Sequence, residues 1–201
     1  MFSNKDLRKL IIPLVIEQLL AVTIGMADTV MVSSCGEAAV SGISLVDSIN
    51  FLLITLFSSL ATGGAVIASQ YIGRGDHKSA SLAAKQLFYA SLALSAVLGV
   101  IAVFFRKPVL NMVFGSIEAD VMAHAQIYFL LSAISYPFLA VYNAGAALFR
   151  SMGDSRTTML ISILMNTINI VGNAILIYGF QMAAAGAATA SLVSRAVGAI
   201  I

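Results

Sequence analysis

Three amide side chains recur on one face of an otherwise apolar segment in the last quarter of the chain. Asn166, Asn169 and Asn173 follow one another at i, i+3 and i+7, which places them on the same side of a helix. Amide oxygens are ligands for hard cations, and amide N–H groups bond to neighbouring helices. The stripe therefore indicates either part of a cation site or hydrogen bonds that hold helices together.

The first apolar segment carries an acidic stripe. Glu17 and Asp28 are separated by about three helical turns, so they share a face at roughly 16 Å from each other along the axis. A charge in hydrocarbon costs at least about 2.5 to 3.5 kcal/mol and is rarely kept without a task. Asp28 is thereby a candidate functional group.

Four of the polar groups are expected at one depth in a membrane. At about 1.5 Å per residue from the outer ends of their segments, they lie roughly 7 to 14 Å below the boundary. If the first, fifth and sixth helices are neighbours, a carboxylate, two amides and a hydroxyl meet there. Such oxygens suit Na⁺, and a buried carboxylate also binds and releases H⁺, so both ions stay open. The four residues are Asp28, Asn169, Asn173 and Ser191.

Two further charges interrupt apolar segments. Arg195 is about as deep as Glu17 when each is counted from its own end, so the two are expected to pair deeper in the bundle. Asp47 lies near the start of the second segment, where an interfacial or helix-cap position is favoured over a role in a pathway.

The segments that position these groups are long enough to cross a bilayer. Of 201 residues, 60% are hydrophobic and 10% are charged, against about 25% charged in a soluble domain, so a soluble protein is excluded. A transmembrane helix needs about 20 apolar residues, and the alternation of a membrane β-barrel is missing. The sequence predicts an all-α membrane protein, a six-helix transmembrane bundle with spans at about 10–32, 43–72, 84–105, 121–149, 158–177 and 183–201.

The basic residues predict a multi-pass protein of the cell (inner) membrane with a cytoplasmic N-terminus. Eight of the eleven lysines and arginines precede the first span or follow the second and fourth, whereas Arg106 and Lys107 lie on the other side. The expected surroundings are the lipid bilayer. A net charge of +2 gives no reason to expect nucleic acid as a partner.

Five motifs, taken in order, resemble the MATE transporters, the multidrug and toxic compound extrusion family. The first helix combines Ile12-Pro13 and Glu17-Gln18 with Met-Ala-Asp-Thr-Val-Met-Val-Ser at 26–33. The resemblance runs through the entire chain. The other motifs are Gln-Tyr-Ile-Gly-Arg-Gly-Asp at 70–76, Arg-Ser-Met-Gly-Asp at 150–154, the stretch 169–173, and Gly-Ala-Ala-Thr-Ala-Ser at 186–191.

This resemblance implies a twelve-helix antiporter of two lobes, in which residues 1–201 form the N-terminal six-helix lobe and the C-terminal lobe is absent. Such proteins export drug-like small molecules, often cationic, as Na⁺ or H⁺ enters, and they use no cofactor. The family's N-lobe cation site maps onto Asp28, Asn169, Asn173 and Ser191. Asn173 stands where some members have aspartate, Ser191 where threonine is common, and Arg195 where glutamine is expected.

The predicted mechanism is alternating access, in which Asp28 cannot hold an entering cation and an outgoing cationic drug together at full affinity. Adaptable apolar side chains tolerate varied ligands, so methionine and aromatic residues are expected to complete the substrate pocket, although core packing is favoured for each one alone. The expected pocket residues besides Asp28 are Met26, Tyr136, Met165 and Asn166.

Three other functions are alternatives to this one. A lipid-linked saccharide flippase of the same superfamily would carry more deep cations than Arg195. An intramembrane aspartyl protease is suggested by the Gly-x-Gly-Asp pattern at 73–76, but Asp76 falls in a basic loop, so no enzyme is predicted. A purely structural subunit would not explain the matched depths of the polar groups.

Overall fold

The described part of the chain is built from helices. The computed structural model describes residues 4–201, without the side chains of residues 4–7, 9, 21, 24, 25 and 27. The basic side chains of Lys5 and Lys9, used above for orientation, therefore lie outside the described residues. Within 4–201 there is no strand. The helices are α1 (Asn4–Ser33), α2 (Glu37–Gly73), α3 (His77–Phe114), α4 (Ala119–Ser151), α5 (Ser155–Asn173) and α6 (Ala183–Ile200), and a π-helical turn (Ala174–Gly179) continues α5.

Five of the six helices begin earlier than the apolar runs that predicted them, whereas α6 begins with its run at Ala183. Gly36 ends the first loop with φ of 100°, a conformation that glycine adopts without strain, and α2 then starts at Glu37. α3 likewise begins at His77, where the Asp76 side chain accepts a hydrogen bond from the Ser79 backbone N–H at 3.0 Å. Polar first turns therefore belong to the helices although a hydropathy pattern omits them.

The outer surfaces of the helices are apolar, as expected for contact with lipid rather than with water. Five described helices are long and apolar enough to cross a membrane: α2, α3, α4, α5 with its π-helical turn, and α6. The apolar stretch of α1 is shorter, Leu10–Leu20. Large apolar side chains such as Phe104 and Met112 point outward and are mostly exposed, which is unfavourable in water and favourable in a bilayer. The chain is a multi-pass membrane protein.

The helices pack in two groups, and one of these groups brings together the helices that carry the predicted polar residues. α4 is central and packs against α2, α3 and α6, while α1 packs mainly on α5, and α5 on α6. α2 and α4 approach closely at Gly42, where a Cβ would lie 2.8 Å from the backbone oxygen of Val121. α1, α5 and α6 are therefore neighbours, which is the condition that the depth argument required.

Candidate functional site

The carboxylate of Asp28 meets the amide stripe of α5. Asn173 donates from Nδ2 to Asp28 Oδ1 at 2.5 Å and to Asn169 Oδ1 at 3.3 Å. Asn169 donates in turn to Ser191 Oγ on α6 at 3.0 Å. The four residues predicted at one depth thus form one hydrogen-bonded chain across three helices. Their binding of a cation stays a prediction.

The two α5 amides in this row of hydrogen bonds are buried. Asn173 is 0% exposed and Asn169 is 6% exposed. The carbonyl oxygen Oδ1 of Asn173 is buried and has no hydrogen-bond partner among the described residues. A buried acceptor without a donor costs about 1 to 3 kcal/mol, and a cation or a water molecule would remove that cost. The oxygen-rich donor set, with one unsatisfied oxygen, fits a small monovalent cation.

A second carboxylate faces the same region from α2. Asp47 Oδ1 accepts a hydrogen bond from the Tyr128 hydroxyl at 2.9 Å and a longer one from Asn50 Nδ2 at 3.4 Å. The prediction of a helix-cap position for Asp47 is wrong, because α2 begins ten residues earlier, at Glu37, while an interfacial position stays a prediction. Asp47 is instead a charged group inside a membrane-crossing helix.

Both carboxylates line one cavity of about 290 Å³. Its walls come from α1, α2, α4 and α6. Three polar residues on the walls are Tyr128 of α4 and Ser191 and Arg195 of α6. The cavity therefore brings two acidic groups and one basic group to the same space.

The predicted pair between Glu17 and Arg195 is wrong. Glu17 Oε1 accepts from Arg150 Nη1 at 3.1 Å, and its Oε2 accepts from the Thr158 hydroxyl at 3.3 Å. Arg195 instead donates from Nη1 to Ser135 Oγ at 2.6 Å.

Side-chain direction explains this exchange of partners. Side chains on a helix lean towards its N-terminus. α6 starts at the end of the bundle where α1 ends, so the long Arg195 side chain reaches towards the cavity of Asp28 rather than towards Glu17. Arg150, near the C-terminus of α4, leans into the bundle and meets Glu17. Counting depth along the backbone cannot include this reach.

Four residues predicted as substrate contacts do not line this cavity, and their contact with a substrate stays a prediction. Tyr136 is fully buried and donates to Asn50 Oδ1 at 2.9 Å, while Met165 is buried close to Gly198. Asn166 donates to Ser162 Oγ at 3.4 Å. Met26 is 66% exposed and does not line the cavity. Of the five expected pocket residues, the cavity includes Asp28.

The sequence reasoning missed the polar network between α2 and α4. Asp47 and Asn50 stand at i and i+3, and Tyr128, Ser132 and Tyr136 stand at i, i+4 and i+8, so each set shares a helix face. The two faces meet: Asn50 Nδ2 donates to Ser132 Oγ at 3.3 Å. The same periodicity test that identified the α5 stripe would have found both.

The loop carboxylates have a structural role. Asp154 accepts from the Thr157 backbone N–H at 3.1 Å and from the Thr157 hydroxyl at 2.7 Å, as an N-cap of α5. These hydrogen bonds lower the pKa of Asp154 below its ordinary value, and the bonds from Ser79 lower the pKa of Asp76 in the same way. Asp76 is an exposed helix cap, so it is not placed like the aspartate of an intramembrane protease.

Comparison with known proteins identifies relatives of the whole chain. Residues 13–175 match the family model MatE. An uncharacterized transporter, YisQ of Bacillus subtilis, is 30% identical over 193 residues, which cover 94% of this chain and 42% of YisQ. A probable multidrug resistance protein, NorM of Thermotoga maritima, is 30% identical over 205 residues, with 98% and 43% coverage. The chain thus spans about two-fifths of the length of these relatives.

Solved structures share the fold. An outward-facing multidrug resistance MATE family transporter superimposes with a TM-score of 0.91 at 23% identity, covering 98% of this chain and 43% of that one. A Pyrococcus furiosus transporter of the MOP superfamily, whose binding pocket of reverse polarity is described as suggesting a different function, superimposes with a TM-score of 0.88 at 25% identity, with 98% and 43% coverage. The six helices described above have the arrangement of the matching part of these transporters.

Proposed function

The chain belongs to the MatE family, and from this premise we propose that it is the N-terminal lobe of a secondary active antiporter that exports organic, often cationic, compounds in exchange for Na⁺ or H⁺. The resemblance to MATE transporters is confirmed, and the six helices are one lobe of the twelve-helix fold. The family consists of transporters, not enzymes. Exported substrates, coupling ion and the second lobe are parts of the proposal.

The observation that carries the proposal is the contact of Asp28 with Asn173 beside an unsatisfied buried oxygen. An entering Na⁺ would gain the Asp28 carboxylate, the Asn173 carbonyl oxygen and the neighbouring Asn169 and Ser191 oxygens. An entering H⁺ would need the carboxylate alone. Either ion neutralises Asp28, which then loses its attraction for an outgoing cationic compound.

Competition for Asp28 would couple the two movements. A binding site that holds an ion or a cationic compound, but not both at full affinity, exchanges one for the other as the transporter alternates between its two faces. One elementary charge moving inward through about 100 mV is worth roughly 2.3 kcal/mol, which drives more than a tenfold concentration gradient.

The test is efflux of a fluorescent organic cation from cells that carry the full-length protein, under a Na⁺ gradient or a pH gradient alone. Asp28→Asn is expected to abolish the gradient-driven efflux. Asp120→Asn, an exposed carboxylate in the first turn of α4, is the matched control and is expected to transport like the parent. Unimpaired, gradient-dependent efflux by Asp28→Asn would remove this residue from the coupling.

A lipid-linked saccharide flippase is the second candidate, and Arg195 in the cavity is the observation that favours it. A guanidinium group binds phosphate well. Two carboxylates line the same cavity, however, and would repel a diphosphate. Transport of a lipid-linked sugar instead of the dye would favour the flippase.

The orientation is also proposed: the N-terminus is in the cytoplasm and the membrane is the cell (inner) membrane. Arg8, Arg74 and Arg156 are exposed residues near one end of the bundle. With Cys35 replaced by serine, a membrane-impermeant maleimide is expected to label Ser116→Cys in intact cells and His77→Cys only after lysis. The opposite pattern would reverse the orientation.

A further inference from the structure

Three formal charges from three helices share the cavity: Asp28 of α1, Asp47 of α2 and Arg195 of α6. No two of them form an ion pair within the described part of the chain, where the recorded pair is Arg150 with Glu17. Neutral groups hold each charge instead. Asp28 accepts a hydrogen bond from Asn173, and Asp47 accepts hydrogen bonds from Tyr128 and Asn50. Arg195 donates a hydrogen bond to Ser135.

The charges therefore act on a ligand together, as one net negative charge. A sphere of the cavity's volume is about 8 Å across, and at that separation, with an effective dielectric constant of about 20, one unit charge changes the affinity for another roughly thirtyfold. All three charged residues line the cavity, so each charge acts on a cation that occupies it. A doubly charged cation is attracted more strongly than a singly charged one, and this difference grows with the net negative charge of the cavity.

We infer that Asp47 and Arg195 are a compensating pair, in which Arg195 sets the cavity to one net negative charge and thereby lowers its affinity for doubly charged cations more than its affinity for singly charged ones. The inference rests on the proposed function, because it concerns the charge of the exported compound. A purely mechanical role is the competing explanation: Arg195 would then only connect α6 to Ser135 of α4.

The charge count makes predictions for substitutions that a mechanical role does not. Arg195→Gln leaves two net negative charges, so it is expected to raise the affinity for a dication relative to a monocation roughly thirtyfold. Asp47→Asn leaves none, so it is expected to weaken binding of a monocation by a similar factor. Asp47→Asn combined with Arg195→Gln restores one net negative charge and is expected to recover the parent's preference.

The experiment is equilibrium binding to the purified full-length protein with two probes of the same shape, 3,3-dimethylbutyltrimethylammonium with one charge and 1,2-bis(trimethylammonio)ethane with two. Arg195→Lys keeps the charge and is expected to keep the parent's ratio of affinities. Arg74→Gln, in the exposed loop after α2, is the matched control for loss of an arginine. Thermal unfolding and size-exclusion profiles identify any variant that fails to fold, and Asp47→Asn alone then still tests the charge count.

The results separate this inference from the proposed function. An unchanged ratio of affinities in folded Arg195→Gln, or a double variant that does not return to the parent's ratio, would overturn the compensating pair while monocation binding by the parent still supports export of cations. A folded parent that binds neither probe would overturn both.

Discussion

Replacing Asn173 tests the cation site where the structure is most specific. Asn173→Leu keeps a similar volume and removes both polar atoms of a fully buried side chain. It loses a hydrogen bond to a carboxylate, worth about 1.5 to 3 kcal/mol, and one to an amide, worth about 1 kcal/mol, but it also removes an unsatisfied oxygen that costs about 1 to 3 kcal/mol. The two effects cancel in part, so the free energy of unfolding is expected to fall by about 1 kcal/mol, and by at most about 3 kcal/mol.

Cation affinity is expected to change more than stability does. If Na⁺ uses the Asn173 oxygen, Asn173→Leu removes one of few ligands and weakens Na⁺ binding by about 10- to 100-fold, the range seen when a partner of a metal site is lost. Asn173→Asp adds a second acid and is expected to strengthen it. The assay is ²²Na⁺ binding to the purified full-length protein, with Thr167→Val, an exposed side chain on α5, as the control. Parent-like Na⁺ binding by Asn173→Leu would refute the role of this oxygen, and parent-like proton-driven efflux by the same variant would identify H⁺ as the coupling ion.

Three further predictions concern the scaffold, and thermal unfolding of the full-length protein in detergent measures each. Glu17→Gln leaves the Arg150 side chain, which is 29% exposed, without its ion-pair partner. The variant is expected to destabilise the protein by about 2 kcal/mol, less than the loss of a fully buried pair would. No loss of stability would mean that water already satisfies both groups. Gly42→Ala is expected to destabilise by about 1 to 3 kcal/mol because its Cβ meets the α4 backbone, whereas a Cβ at Gly63 meets nothing within 4 Å, so equal effects at the two positions would contradict the packing. The lowered pKa of Asp154 means that its cap stabilises the folded state above the unfolded value of about 3.9 and that this contribution disappears as pH falls through the lower folded value. Asp154→Ala is therefore expected to destabilise the protein more at pH 7 than at pH 2, and a destabilisation that does not depend on pH would contradict the cap.

The sequence was sufficient for features that depend on residue spacing. Asp28, Asn169, Asn173 and Ser191 meet because helical rise and a common membrane boundary place them at one depth, whatever the side chains between them. Composition was sufficient for the class of protein, since a chain with 10% charged residues cannot cover a soluble surface.

Features that depend on the reach of a side chain or on the first residue of a helix could not be predicted from the sequence. Arg195 extends several ångströms from its backbone, so depth counting assigned it to Glu17 while the side chain bonds to Ser135. Hydropathy does not detect the polar first turn of α2, so it places the start of that helix too late and predicts a cap at Asp47. Tyr136 and Met165 pack in the core, and residue type alone does not distinguish a core methionine or tyrosine from one that faces a ligand.

The central claim is that the Asp28 carboxylate, held by Asn173, is the group that an entering cation neutralises. Infrared difference spectroscopy of the full-length protein, with Na⁺ added or pH lowered, reports carboxylate and amide vibrations directly. The account predicts a carboxylate band that changes with the coupling ion, disappears in Asp28→Asn and persists in Asp120→Asn. The same ion-induced band in Asp28→Asn as in the parent would contradict it.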